Sequence, residues 1–162
     1  MMKDFKKLYK AGRVTRYHTA DVPAQSLAAH SWGVSMVVAM IYPNKKPPAH
    51  LLMAAMIHDL AESVTGDVPA PTKWGNEQLS KRLREAELVF NLINGIEIPL
   101  TPQEEAILAW ADTFELCLYC RHQASMGNEY AGEILSNGLE HLRKKGFPTT
   151  ESKELYDDIF GK

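Results

Sequence analysis

The stretch from Ala49 to Val64, AHLLMAAMIHDLAESV, constrains the fold more than any other part of the chain. It is apolar nearly all round, the pattern of one helix over 49–64 buried at the centre of a helical protein rather than lying on its surface. Packing accounts for its Met, Ile, Leu and Ala residues. It does not account for His58, Asp59, Glu62 and Asp67, which arrive in quick succession at its end.

The rest of the chain repeats the helical period. Between Leu27 and Tyr42 apolar residues fall at 27, 34, 37, 38 and 41. Asn76 can cap a helix running to about residue 94, where Gly95 stops it. Thr101, Pro102 and Glu104 form a start signal: a capping hydroxyl, a proline at the first helical position and a glutamate three residues on. That helix is predicted over 102–125 and is followed by Gly127-Asn128. Another is predicted to Lys145, closed by Gly146, and a short last one over 151–160. The only strand candidates are pieces around 96–100. The expectation is an all-α protein of about six or seven helices, with residues 1–162 forming a single domain.

Composition narrows the function classes. Of 162 residues, 45% are hydrophobic and 23% charged, with a net charge of -2. That balance is expected of neither a nucleic-acid coat nor a polybasic membrane surface. No apolar run approaches the roughly 20 residues that span a bilayer. The N-terminal stretch MMKDFKKLYKAGRV lacks the apolar core of a secretory signal, and two cysteines make no disulfide framework. The expected location is the cytoplasm.

On a helix His58 and Glu62 share a face, with Asp59 about 100° round from His58. One imidazole and one carboxylate are too few donors for a stable transition-metal site, so further ligands must come from elsewhere. His30, in SLAAHSWG, and Asp112, in AILAWADTFEL, are the candidates. An aspartate on an apolar helix face is costly unless paired or bound to an ion. Two imidazoles and two carboxylates suit Mn, Fe, Co, Ni or Zn and leave positions for water or substrate. The bland alternatives are a histidine satisfied by a neighbouring carboxylate and an aspartate that caps another helix.

The order H…HD…D across helices resembles the HD-domain metal-dependent phosphohydrolases. The closer similarity is to the bacterial YfbR-type 5′-deoxynucleotidases and the related small phage dATP triphosphohydrolases. It is carried by Arg16-Tyr17, AHS at 29–31, HDLAESVTGDVPAPTK at 58–73 and ADTFELCLYC followed by Gly127-Asn128-Glu129. HDxxE followed by TGDxPxPxK is its specific part. The resemblance implies an HD-domain helical bundle with His30, His58, Asp59 and Asp112 as ligands of a divalent transition metal. It implies Glu62 as the carboxylate acting on the attacking water and Asp67 as an aid to positioning. Arg16 and Lys73 would meet the phosphate, with Tyr17 beside the sugar where the bacterial enzymes have Trp. Ala29 stands where the family has a glutamate before its first ligand histidine, so any outer-sphere role of that glutamate is lost or moved.

The resemblance further implies a small-molecule deoxynucleotide substrate cleaved at its 5′ phosphate, as a monophosphate or as a triphosphate. The short chain resembles the compact phage enzymes, which points towards deoxyadenosine nucleotides and, if phage-encoded, the host cytoplasm. Family habit implies a homo-oligomer, dimer or hexamer. Hydrolysis of a guanosine polyphosphate and a catalytically silent nucleotide sensor are the competing readings. Cys117 and Cys120 read as core residues rather than a metal pair, as do Trp32 and Trp110. The expected route from Gly66 to Lys73 is extended, held by Pro69 and Pro71.

Overall fold

Helix α7 (Pro102–Ser125) is the longest of the described helices and supplies much of the buried core. The structure, a computed structural model, describes residues 5–43 and 45–161. Those residues form α1 (Phe5–Ala11), β1 (Thr15–Arg16), β2 (Gln25–Ser26), α2 (Leu27–Met40), α3 (Ala49–Ile57), α4 (Glu62–Thr65), α5 (Ala70–Trp74), α6 (Glu77–Asn94), α7, α8 (Glu129–Lys145) and α9 (Thr150–Phe160). The protein is all-α apart from the antiparallel β1–β2 pair. No helix among the described residues is long and apolar enough to cross a membrane.

The α7 sequence explains its central place. Ile107, Trp110, Ala111, Phe114, Cys117 and Cys120 recur at three- and four-residue spacing and are buried, giving one face to α8 and another to α2. Full burial of side chains such as Phe114 and Ile107 is worth about 1.5–3 kcal/mol each. Helix α8 packs close because Gly138 has no side chain: a Cβ there would lie 2.7 Å from Cys117 Sγ. The start of α7 is a full capping box. Thr101 Oγ1 accepts from the Glu104 amide, and the Thr101 amide donates to Glu104 Oε2 at 2.9 Å. Thr101→Ala is expected to cost about 1 kcal/mol, read as a lower urea midpoint with unchanged slope.

The caps place α6 to α9 where the sequence puts them: Asn76 accepts from the Leu79 amide, and Gly95 ends α6 with φ +64°. Other expectations fail. The 49–64 helix is not continuous, because α3 ends at Ile57 and residues 58–61 form tight turns before α4. Nor is it buried all round: α3 lies on α2 and α7, so Leu51, Ala54 and Ala55 are enclosed while Met53 and Met56 face outward. Residues 96–100 are irregular, and the strands are instead Thr15–Arg16 and Gln25–Ser26. The extended path expected after Gly66 holds only to Pro69. Pro71 sits near the N-terminus of α5, where a missing N–H costs nothing, and a short helix follows.

Trp110 is buried as expected, but Trp32 is 68% exposed. It shares the outer face of α2 with the exposed Met36 and Met40, and Met53 and Met56 of α3 are exposed too, Met56 lining one surface groove with Trp32. A second apolar stripe, Leu88, Val89, Leu92 and Ile93, runs along α6, a helix with no buried residue.

Candidate metal centre and substrate cleft

Three segments bring one polar cluster together. His30 comes from the end of the first turn of α2, whose start is fixed by Ser26 accepting from the Ala29 amide. His58 caps the end of α3, and Asp59 begins the turn beyond it. Asp112 projects from the middle of α7. One ligand-type atom from each of the four lies within 4.8 Å of every other. His30 Nε2 is 3.0 Å from Asp112 Oδ1 and 3.6 Å from Asp59 Oδ2. His58 Nε2 is 3.1 Å from Asp59 Oδ2 and 3.9 Å from Asp112 Oδ1.

The break after α3 is what lets two consecutive residues serve one site. The amides of Leu60 and Glu62 bond three residues back, to Ile57 and Asp59 carbonyls, so the chain tightens locally, as it often does at functional positions. His58 Nε2 and Asp59 Oδ2 then point into the same space.

The chemistry of the cluster fits a divalent ion. Both Nε2 atoms are buried and neither makes a hydrogen bond of good geometry, although carboxylates stand nearby. Buried polar nitrogens without partners are rare and call for an occupant. His58 Nδ1 lies 2.8 Å from the Ala55 carbonyl and can donate to it, leaving the Nε2 lone pair for the ion. Desolvation disfavours charge on the imidazoles, but Asp112 and Glu115 outweigh it at His30, and Asp59 and Asp112 at His58, so both histidines are held above their ordinary pKa. Desolvation also opposes ionisation of the aspartates. Beside the imidazoles, Asp59 nonetheless falls to about 2 and Asp112 well below the carboxylate range.

Beside the cluster opens a cavity of about 580 Å³, lined by Arg16, Tyr17, Asp59, Asp67, Lys73 and Asp112 among others. Its remaining walls include Val68, Pro69, Leu116, Ile134 and Asn137. A lining that is both charged and apolar suits an amphiphilic ligand. Arg16 is nearly buried, with Nη1 3.3 Å from Asp59 Oδ2 and a buried, unpartnered Nε. Tyr17 has φ +65°, the only described non-glycine residue with positive φ, and stacks on Tyr119 at 5.1 Å. A bulky residue held in that region is a strained placement of the kind found at functional sites.

Glu62 is 6% exposed, with Oε2 buried and unpartnered. Burial, then the charges of Asp59 and Asp67, push its carboxyl up to about 8. Asp67 lies on the cavity wall, 3.7 Å from His18 Nδ1. Of the sequence-predicted residues, His30, His58, Asp59 and Asp112 share one cluster, and Arg16, Tyr17, Asp67 and Lys73 line the cavity beside it. Glu62 is outside that lining but near enough to feel the charges of Asp59 and Asp67. The cysteines stand apart from the metal cluster: Cys117 and Cys120 are fully buried free thiols.

Two residues of this neighbourhood were not anticipated. Glu115 Oε2 is 2.5 Å from His30 Nδ1, and Gln25 Nε2 donates to Glu115 Oε1 at 2.7 Å. The signal for Glu115 was present, since it stands three residues after Asp112 on the same helix, where side chains neighbour each other. Gln25 carried none.

The HD domain family model matches residues 5–126. The chain is 27% identical over 148 residues to a 5′-deoxynucleotidase of Vibrio atlanticus (strain LGP32), covering 76% of each chain. It is 29% identical over 134 residues to a 5′-deoxynucleotidase of Vibrio cholerae serotype O1, covering 68% of this chain and 69% of that one. Among solved structures it superposes on the cyanophage S-2L HD phosphohydrolase DatZ, bound to dA and one catalytic Zn2+ ion, with a TM-score of 0.66. That match covers 95% of this chain and 92% of the other at 20% identity, a likeness of fold. With a family model that spans most of the chain, the protein belongs to the HD-domain family.

Proposed function

We propose that this protein is a metal-dependent phosphohydrolase that cleaves deoxynucleotides at the 5′ phosphate. The observation that carries the reading is the convergence of two unpartnered imidazole nitrogens and two carboxylates beside a cavity with two cationic side chains. The names of the relatives support it: two are 5′-deoxynucleotidases, and the structural neighbour is a phosphohydrolase holding deoxyadenosine and zinc.

In this reading His30, His58, Asp59 and Asp112 hold the ion, of which Zn, Co, Mn, Ni and Fe all suit the donor set. The ion supplies Lewis acidity, neutralising charge on a phosphoryl oxygen and easing deprotonation of water. Arg16, fixed by Asp59, presents its remaining N–H groups to the phosphate as a planar donor. Lys73 adds a second positive charge from the cavity wall. Glu62 takes the proton of the attacking water; a carboxylate raised towards neutrality is a far better base than an ordinary one. Asp67 orients that water or the sugar. Tyr17 flanks the sugar, and the apolar walls take the base. The chemistry is mostly positioning and electrostatics, as phosphoryl transfer requires.

Both a monophosphate and a triphosphate can be cut at the bond between phosphorus and the 5′ oxygen. The products separate them: phosphate from a deoxynucleoside monophosphate, tripolyphosphate from a triphosphate. Cobalt-loaded protein is expected to yield one of these with a deoxynucleoside, and the ribose analogues to be slower. Products containing a nucleoside monophosphate or diphosphate would overturn the assigned bond.

The two exposed apolar stripes support a homo-oligomer, dimer or hexamer, since patches of this kind on a lone chain mark association surfaces. Light scattering of the purified protein tests this. A cytoplasmic setting agrees with two buried free thiols.

A further inference from the structure

The side chain least explained by packing is Glu115. It is 6% exposed, on a stretch of α7 where Phe114, Leu116 and Cys117 are also buried. A carboxylate in such a place is strongly destabilising unless paired and fully hydrogen-bonded. Both its oxygens are used: Oε2 faces His30 Nδ1 at 2.5 Å, and Oε1 accepts from Gln25 Nε2 at 2.7 Å. Three further features serve that arrangement. Gly33, one turn after His30 on α2, leaves room for it: a Cβ there would stand 2.7 Å from Glu115 Cγ. Gln25 is held by the short ladder that pairs it with Arg16. Ala29, beside His30, offers no carboxylate of its own.

We infer that Glu115 is the positioning residue of the metal centre, fixing His30 with a proton on Nδ1 so that Nε2 is turned, as a strengthened donor, towards the ion. The inference rests on the functional reading above. Both Glu115 oxygens are taken up, by His30 and Gln25, so it acts through His30 and not on substrate. The two imidazoles then differ in kind. His58 is oriented by a neutral carbonyl, that of Ala55, and His30 by a buried carboxylate. A carboxylate partner makes an imidazole the more basic ligand, and such partners matter to affinity nearly as much as ligands do. The ladder also ties the two ends of the site together. Arg16, aimed at the phosphate, and Gln25, aimed at Glu115, are a paired couple across β1 and β2.

The test titrates Co2+ into metal-free wild type, Glu115→Gln and Gly33→Ala, and records the visible spectrum of the cobalt form. Glu115→Gln keeps the size and an acceptor for His30 while removing the charge. It is expected to weaken cobalt binding roughly 10–100-fold and to shift the cobalt bands, with an unchanged melting midpoint of the metal-free protein. At saturating cobalt the KM for a deoxynucleotide should match wild type, because no substrate contact is lost. Gly33→Ala should move affinity in the same direction by displacing Glu115, although alanine favours a helix over glycine. Wild-type affinity and spectrum in Glu115→Gln would overturn the inference. So would a loss of cobalt binding that merely follows a drop in metal-free stability. Wild type that binds no cobalt would overturn the functional reading as well, whereas a cobalt-binding wild type with an indifferent Glu115→Gln overturns this inference alone.

Discussion

Glu62→Gln is expected to lower kcat by roughly 10²–10⁴-fold while leaving divalent-ion affinity close to wild type. Glu62 is nearly buried, one oxygen has no partner, and burial with the nearby Asp59 and Asp67 raises its carboxyl to about 8. A group held in that condition weakens the fold and is kept for a task, so the substitution should not lower the melting midpoint. Glutamine preserves the volume and cannot accept the proton of water. Turnover rates and an ion titration on the same preparation check this. Full turnover in the variant would remove Glu62 from the mechanism, and loss of the ion would make it a ligand.

Asp112→Asn is expected to abolish both ion binding and turnover. Asp112 is the only one of the four cluster residues contributed by α7, and its Oδ1 stands 3.0 and 3.9 Å from the two Nε2 atoms. Without it those nitrogens keep only Asp59 as an anionic neighbour among the cluster residues. The loss of affinity should exceed the roughly 10–100-fold expected for an outer-sphere partner. The order of effects on ion affinity is therefore Asp112→Asn, then Glu115→Gln, then Glu62→Gln. Equilibrium dialysis with zinc and cobalt measures it, and Asp112→Asn binding as tightly as wild type would remove that residue from the site.

The parts of this protein that were readable in advance are those written in local chemistry. Asn76 and Gly95 bound α6, the Thr101–Glu104 box starts α7, and Gly146 ends α8, because caps act within a turn of the residues that carry them. His30, His58, Asp59 and Asp112 were readable because their chemistry is out of place on apolar helices and because the HDxxE and TGDxPxPxK spacings are specific. The rest depends on what lies far along the chain. Two-residue strands have no period to detect, and the Arg16–Gln25 pairing is made by the fold. Apolar content could not tell a helix enclosed on all sides from one that rests on α2 and α7 with Met53 and Met56 facing outward, or place Trp32 on the outer face of α2. Nor could it show that the helix stops at Ile57, a break that local propensity opposes and the site requires. Glu115 shares a helix face with Asp112, but what it does there was not readable for a like reason: its partners are 85 and 90 residues away.

The decisive measurement is turnover by chelator-stripped protein before and after an ion is returned. Phosphate release from deoxynucleoside monophosphates and tripolyphosphate release from dNTPs would both be followed, with ribonucleotides alongside. The expected result is no product from the stripped protein, recovery with cobalt, manganese or zinc, and a preference for the deoxy series. Turnover untouched by stripping, or no product under any ion, would contradict a metal-dependent deoxynucleotide phosphohydrolase.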